Sequence, residues 1–170
     1  HSYVVGDHAQ LQSAFLNLGL NARDAMPEGG CFIITTGEVE VSESFCKSSS
    51  FDIRQGKYIY IKVSDSGKGI SSENLPRIFE PFFTTKKLGQ GTGLGLAAVY
   101  GTIAGHGGSI TVSTRFDEGT VFDIYLPLAE SCSVSEKSGR SENVVPTGLG
   151  TVLVVDDEKI VREMVITILS

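Results

Sequence analysis

The chain has no basic excess: 14 Lys and Arg stand against 20 Asp and Glu in 170 residues, a net charge of −6. That balance argues against a nucleic-acid partner, because such surfaces gather cations to neutralise phosphates. It leaves room only for a local basic spot. No apolar run approaches the roughly 18–20 residues of a membrane span. No basic-then-apolar leader opens the chain, and His1-Ser2 reads as a cut end. Cysteine is scarce. Cys31, Cys46 and Cys132 lie far apart, with no C-x-x-C pair and no Cys/His metal spacing, so they read as reduced thiols of a cytoplasmic protein. Internal repeats and coiled-coil heptads are missing. So are two common phosphate patterns, G-x-x-x-x-G-K-[ST] and G-x-G-x-x-G.

What is present points to an ordered globular chain, with 41% apolar and 20% charged residues. The length suits one domain of about 100–150 residues plus a remainder. Glycine is plentiful, 20 in all, and clusters between Gly67 and Gly108. Such clustering suggests backbone that bends sharply or approaches a ligand closely.

Leu11, Phe15, Leu18 and Ala22 recur on one helical face, which predicts a helix over 9–27, capped by Asp7 and stopped at Pro27. Residues 31–41 predict a strand, and Cys46 to Gly56 a Ser-rich connection. Tyr58–Asp65 is the clearest strand, with Ile59, Ile61 and Val63 on one face and Tyr58, Tyr60 and Lys62 on the other. Residues 66–93 read as a long functional loop with one helical turn near Glu73–Phe79. A helix over Leu94–Ala104 and strands Ser109–Thr114 and Thr120–Leu126, joined by a turn at Asp117–Gly119, close the domain. The Ser- and Gly-rich stretch 130–150 reads as a linker. Val152–Val155, the acids Asp156-Asp157-Glu158 and a further amphipathic run predict the first strand and helix of a second α/β domain.

Several groups carry chemistry. Asn17, Asn21 and Asp24 share one face of the first helix beside its apolar stripe. They make either an ordinary solvent face or a cleft lined with hard oxygen ligands suited to Mg²⁺. Asp65 falls in register with the apolar face of its strand, where a carboxylate needs donors. It either caps its own turn or receives the exocyclic amine of a flat ligand, with the glycines of Asp65-Ser66-Gly67-Lys68-Gly69 making room. Thr120 is in register to face the same space. Gly91-Thr92-Gly93-Leu94-Gly95-Leu96 runs into a helix N-terminus, an anion site, and Lys86 and Lys87 just before it suggest a polyphosphate. Phe79, Phe82 and Phe83 either pack in the core or form a docking spot. His1, His8 and His106 read as surface or turn histidines.

In this order, the four blocks resemble the catalytic, ATP-binding domain of bacterial sensor histidine kinases, within the superfamily shared with gyrase-type and chaperone-type ATPases. Leu16 to Ala25 is similar to the N box and Asp65 to Gly69 to the first glycine box. Phe79 to Phe83 is similar to the F box, and Gly91 to Leu96 to the second glycine box. Gly119-Thr120 matches the closing element. The likeness covers about residues 5–128. It implies a two-layer α/β sandwich, a mixed sheet with helices on one face, whose usual first strand is mostly missing here. It implies ATP and Mg²⁺ as ligands, with Asn21 on the metal, Asn17 near the phosphates and Asp65 on the adenine amine. Gly67, Gly69, Gly93 and Gly95 would admit base and phosphates. Lys86 would offset phosphate charge, with Asp24, Ile70, Phe79, Gly91, Thr92, Leu94, Leu96 and Thr120 also lining the site. Some kinases carry lysine where Asp24 stands.

Hydrolysing relatives carry a glutamate where Asn17 stands. An amide is no general base, so the resemblance implies phosphoryl transfer to a histidine rather than hydrolysis. An ATP-hydrolysing machine and a nucleotide-independent interaction module are the rival readings. The acceptor histidine would sit on an upstream dimerisation domain, which makes the parent a homodimer. The tail resembles the start of a response-regulator receiver domain, with Asp156 and Asp157 as its Mg²⁺ pair. The expected layout is a kinase domain at 1–129, a linker at 130–150 and a receiver stub of the doubly wound α/β type at 151–170, cut from a hybrid kinase.

Overall fold

The computed structural model describes residues 2–49, 51–86 and 91–129. The linker, the tail and Lys87 therefore lie outside the described residues.

Asp7 starts the first helix as expected. Its Oδ1 accepts from the N–H groups of Ala9 (2.8 Å) and Gln10 (3.1 Å), and α1 runs His8–Ala25. The helix stops two residues before Pro27, because a proline disfavours helical backbone at the residue before it. Strand β1 spans Phe32–Val41 and β2 spans Gly56–Asp65. A short 3-10 turn covers Leu75–Arg77. Helix α3 (Gly95–Gly105) and the hairpin β3 (Ser109–Arg115) and β4 (Gly119–Pro127) follow.

The strands form one sheet in the order β1-β2-β4-β3. Every pairing is antiparallel, where a mixed sheet was expected. β1–β2 and β3–β4 pair as chain neighbours, which sets them antiparallel, and the connection through α3 returns β4 against β2 in the same sense. Ile61 faces Ile124 across β2 and β4, and Val63 faces Phe122. On that face α1 contributes Ala14 and Leu18 and α3 contributes Val99 and Ile103 to a common core. Val99, Ile103 and Ile124 are fully buried. Each such side chain is worth roughly 1.5–3 kcal/mol of burial.

The other face is partly roofed, which the one-sided reading did not anticipate. A helix, α2 (Glu43–Ser48), capped by Ser42, whose hydroxyl accepts from Phe45 N–H at 3.3 Å, overlaps the start of the segment read as a plain connection from Cys46. Beyond it Ile53 joins Val41 and Tyr58 in a second core, with Phe51 stacked on Tyr125 at 5.7 Å. Alternation along β2 makes this possible: Tyr58 and Tyr60 point away from Ile59 and Ile61.

His106 ties the helices together. Its Nδ1–H donates to Thr102 O (2.7 Å), while its Nε2 accepts from Asp7 N–H (2.9 Å) at the start of α1. Among the described residues no helix is long and apolar enough to cross a membrane.

Candidate functional site

The end of β2 and the loop after it form one wall. Asp65 pairs in register with Thr120 of β4, which is buried. One Asp65 oxygen accepts from Gly67 N–H at 2.8 Å. The other has no partner among the described residues, which leaves it as an acceptor for a ligand. The turn-capping reading of this carboxylate is realised in geometry, and its second oxygen is left over.

The loop is braced on three sides. Lys68 N–H donates to Ala25 O at the end of α1 (3.1 Å), and Asp117 N–H of the β3–β4 turn donates to Lys68 O (2.9 Å). Ser66 exchanges bonds with Cys31, its N–H to Cys31 O (3.1 Å) and Cys31 N–H to its hydroxyl (2.9 Å). Gly69 adopts φ +67°, and a Cβ there would lie 2.2 Å from Arg115 O, so no other residue fits without moving backbone.

Thr114 completes the brace, and sequence reasoning missed it. Its hydroxyl donates to Gly119 O (3.0 Å) and accepts from Ile70 N–H (2.9 Å). With its one hydrogen used, it also accepts from Thr120 Oγ1 at 3.3 Å. The available signal was a hydroxyl in register with Ile110 and Val112 on the core face of β3.

The opposing wall is the polar face of α1. Asn17 and Asn21 are half-buried, and neither side-chain amide bonds to another described residue. Gly95, the first residue of α3, sits beside them: a Cβ built on it falls 3.6 Å from Asn17 Oδ1 and 3.9 Å from Asn21 Nδ2. No side chain caps the N-terminus of α3. Its leading N–H groups and positive dipole end thus open beside two amides with oxygens to spare, chemistry suited to an anion beside a hard cation.

Asp24, one turn beyond Asn21, brings a distant residue to this face. Its Oδ2 pairs with Lys86 Nζ at 2.5 Å, while Arg23 holds Oδ1 at 2.7 Å through Nη2. The Lys86 ammonium, followed by the Arg23 guanidinium, holds the Asp24 carboxyl below its ordinary pKa.

The phenylalanines divide. Phe79 and Phe83 pack against the core, Phe79 with its ring 5.3 Å from that of Tyr100 and Phe83 beneath the Arg77 guanidinium at 4.4 Å. Phe82 is 74% exposed, at φ 68°. A Cβ on Gly93 would fall 2.3 Å from the Phe82 carbonyl carbon, so this close approach positions the second glycine run. Leu94 is exposed, and Thr92 Oγ1 accepts from Leu94 N–H at 3.3 Å. Leu96, Ile70 and Phe79 all border the main core. Gly91 lies against Thr84 and Lys86. Asp156 and Asp157 lie outside the described residues.

Comparison with known proteins places the chain in a family. The sequence model of the "Histidine kinase-, DNA gyrase B-, and HSP90-like ATPase" family matches residues 6–130. Sensor kinase CckA of Brucella abortus (strain 2308) is 40% identical over 166 residues, 94% of this chain and 18% of that protein. Sensor histidine kinase ZraS of Escherichia coli (strain K12) is 37% identical over 125 residues, 74% of this chain and 23% of that protein. The chain thus spans about a fifth of the length of these relatives. Among solved structures, full-length ShkA in complex with AMPPNP superposes with a TM-score of 0.58 at 28% identity, over 78% of this chain and 24% of that one. With its sequence matched over most of its length, this chain belongs to the histidine kinase-, DNA gyrase B- and HSP90-like ATPase family and carries the ATP-binding domain of sensor histidine kinases.

Proposed function

We propose that residues 1–129 bind Mg-ATP between the α1/α3 layer and the segment that begins at Thr84, and donate its γ-phosphoryl group to a histidine on a separate dimerisation domain. One observation carries the reading: Asn17, Asn21 and the uncapped start of α3 converge within side-chain reach, with Lys86 brought to the same face. In this reading Asp65 accepts from the adenine amino group and Thr120 supports it from the neighbouring strand. The glycines at 67, 69, 93 and 95 keep the walls close to base and phosphates. Ile70, Leu94, Leu96 and Phe79 shape the apolar margin, and Gly91 and Thr92 lead the backbone into α3. Lys86 balances the charge of the transferring group.

The two unpartnered amides fit a hard cation, and Asn21 is the residue to hold it through its oxygen. Mg²⁺, when bound, neutralises phosphate charge and aligns the γ-phosphoryl group. Asn17 offers no basic atom to a water molecule, so the site favours an imidazole nucleophile brought by another domain over hydrolysis. Catalysis is then mostly positioning and charge compensation.

In this reading the chain is a cytoplasmic signalling domain of a homodimeric two-component kinase, whose parent is either soluble or membrane-anchored. Its acceptor histidine lies on an upstream dimerisation domain, and the tail from 151 opens a receiver domain in which Asp156 and Asp157 hold Mg²⁺. The match to sensor kinase CckA spans 166 residues and so runs past the kinase domain into the tail. The test is a transfer assay with labelled ATP and a matching dimerisation domain supplied separately. The expected result is acid-labile label on the dimerisation domain and little free phosphate. Steady ATP hydrolysis without transfer would favour the hydrolysing reading, and no ATP binding would favour an interaction module.

A further inference from the structure

Lys86 and Asp24 are 62 residues apart in sequence, yet their charged atoms meet at 2.5 Å. The contact lies on the same α1 face as Asn17 and Asn21, because steps of four and three residues each return a helix nearly to the same angle. Asp24 thus draws the one described lysine of this segment to the wall where polyphosphate is expected. Both side chains are partly exposed, 36% for Lys86 and 30% for Asp24. Pairs of that exposure are worth little, so the lysine is parked and not locked. Release also leaves no bare carboxylate. Arg23 bonds Asp24 Oδ1 through Nε at 3.0 Å and Nη2 at 2.7 Å, and stays in place when Oδ2 is vacated.

We propose that Asp24 is a competitor built into the site: it holds Lys86 while nucleotide is absent, and the triphosphate must take Lys86 from it, so Asp24 sets nucleotide affinity and its dependence on phosphate number. The inference rests on the nucleotide reading given above. Asp24 acts through Lys86 and is therefore a positioning residue. A triphosphate carries more charge to outbid the carboxylate than a diphosphate does. The gain on removing the competitor grows with how strongly a ligand uses Lys86, so ATP gains more than ADP and their affinities draw apart.

The experiment is titration of the full chain with ATP and with ADP, each with Mg²⁺, for the wild type, Asp24→Asn, Asp24→Glu, Lys86→Met and the double variant. Asp24→Asn is expected to bind ATP about 2–5-fold more tightly, the range expected from a surface ion pair, and ADP with a smaller gain. In the Lys86→Met background the gain from Asp24→Asn is expected to shrink markedly, and Asp24→Glu to restore wild-type behaviour. Without nucleotide, amine-directed labelling of Lys86 is expected to speed up in Asp24→Asn. Unchanged or weaker ATP binding by a folded Asp24→Asn overturns the proposal. A gain that persists undiminished in Lys86→Met also overturns it, since Asp24 would then repel phosphate directly. If the wild type fails to bind ATP, the nucleotide reading fails first, while the labelling result still judges whether Asp24 holds Lys86.

Discussion

The two glycine-rich walls of the cleft are built on opposite principles. The loop from Asp65 to Ile70 is held by main-chain bonds to α1, to the residue before β1 and to the β3–β4 hairpin, with Thr114 as a further clamp. The described parts of the segment from Thr84 to Gly95 meet the rest through Gly93 against Phe82, Gly95 beside Asn17 and Asn21, and the Lys86–Asp24 charge pair. Bonds to fixed backbone preform a shape, whereas a charge pair near water yields to a stronger charge. Under the nucleotide reading proposed above, the braced loop serves a flat, uniform base and the yielding segment serves phosphates that change in number and charge during a reaction cycle.

The largest expected effect attacks the braced loop. Asp65→Asn replaces an acceptor by a group whose NH₂ confronts either Gly67 N–H or the ligand's own donor. ATP affinity should fall by about 2–4 kcal/mol, read by calorimetric titration. Affinity near that of the wild type would show that Asp65 does not read the base.

A pair of alanine substitutions sharpens the contrast. Gly69→Ala forces a left-handed backbone onto a side chain and drives its Cβ into the Arg115 carbonyl. The backbone strain alone is worth about 1–3 kcal/mol, so the melting temperature should drop and nucleotide binding with it. Gly91→Ala meets side-chain atoms and no backbone among its nearest neighbours, Thr84 Oγ1 at 2.9 Å, Lys86 Cδ at 3.0 Å and Lys86 Cβ at 3.3 Å, and its φ is not left-handed. It should cost much less. Equal losses at the two positions would erase the distinction between the walls.

Thr114→Val tests the clamp. It strips Ile70 N–H of its acceptor and Gly119 O of its donor at constant shape. About 1–3 kcal/mol of stability should be lost in denaturant unfolding, with amide exchange accelerated at Ile70.

The smallest effect concerns acid. Asp24 is held below its ordinary value of 3.8, so its pairing contributes stability above that pH and loses it as pH falls through the lower folded value. For a pair this exposed the contribution is at most about 1 kcal/mol. The stability difference between wild type and Asp24→Asn should be small at neutral pH and vanish in strong acid. A difference that grew on acidification would contradict the pairing.

Much of the fold was legible because its signals are local. The stripe Leu11, Phe15, Leu18 and Ala22 lands on the core, Asp7 caps α1, and Ile61 and Val63 point inward as strand alternation requires. Asp65 and Thr120 were expected to face one space, and they pair across β2 and β4. The roof over the second face was not legible. Helix α2 is too short to show a period, and Tyr58 looks like an ordinary outward residue until Ile53 and Val41 close around it. The three phenylalanines could not be sorted either, since an irregular stretch has no periodicity to tell Phe79 and Phe83 from the exposed Phe82.

The sequence by itself determined the chemistry of the cleft and the order of its parts: two amides on one helix face, an acid at the inner end of a strand, and glycines where backbone must come close. These follow from residue type and from spacing over a few positions, where helix and strand periods hold. Only the tertiary structure decided that the sheet is antiparallel throughout, that Thr114 clamps the Asp65 loop, that His106 joins α3 to the start of α1, and that Asp24 holds Lys86. Each of these depends on contacts between residues far apart in the chain, and only closure of the sheet under its helices brings them within bonding distance.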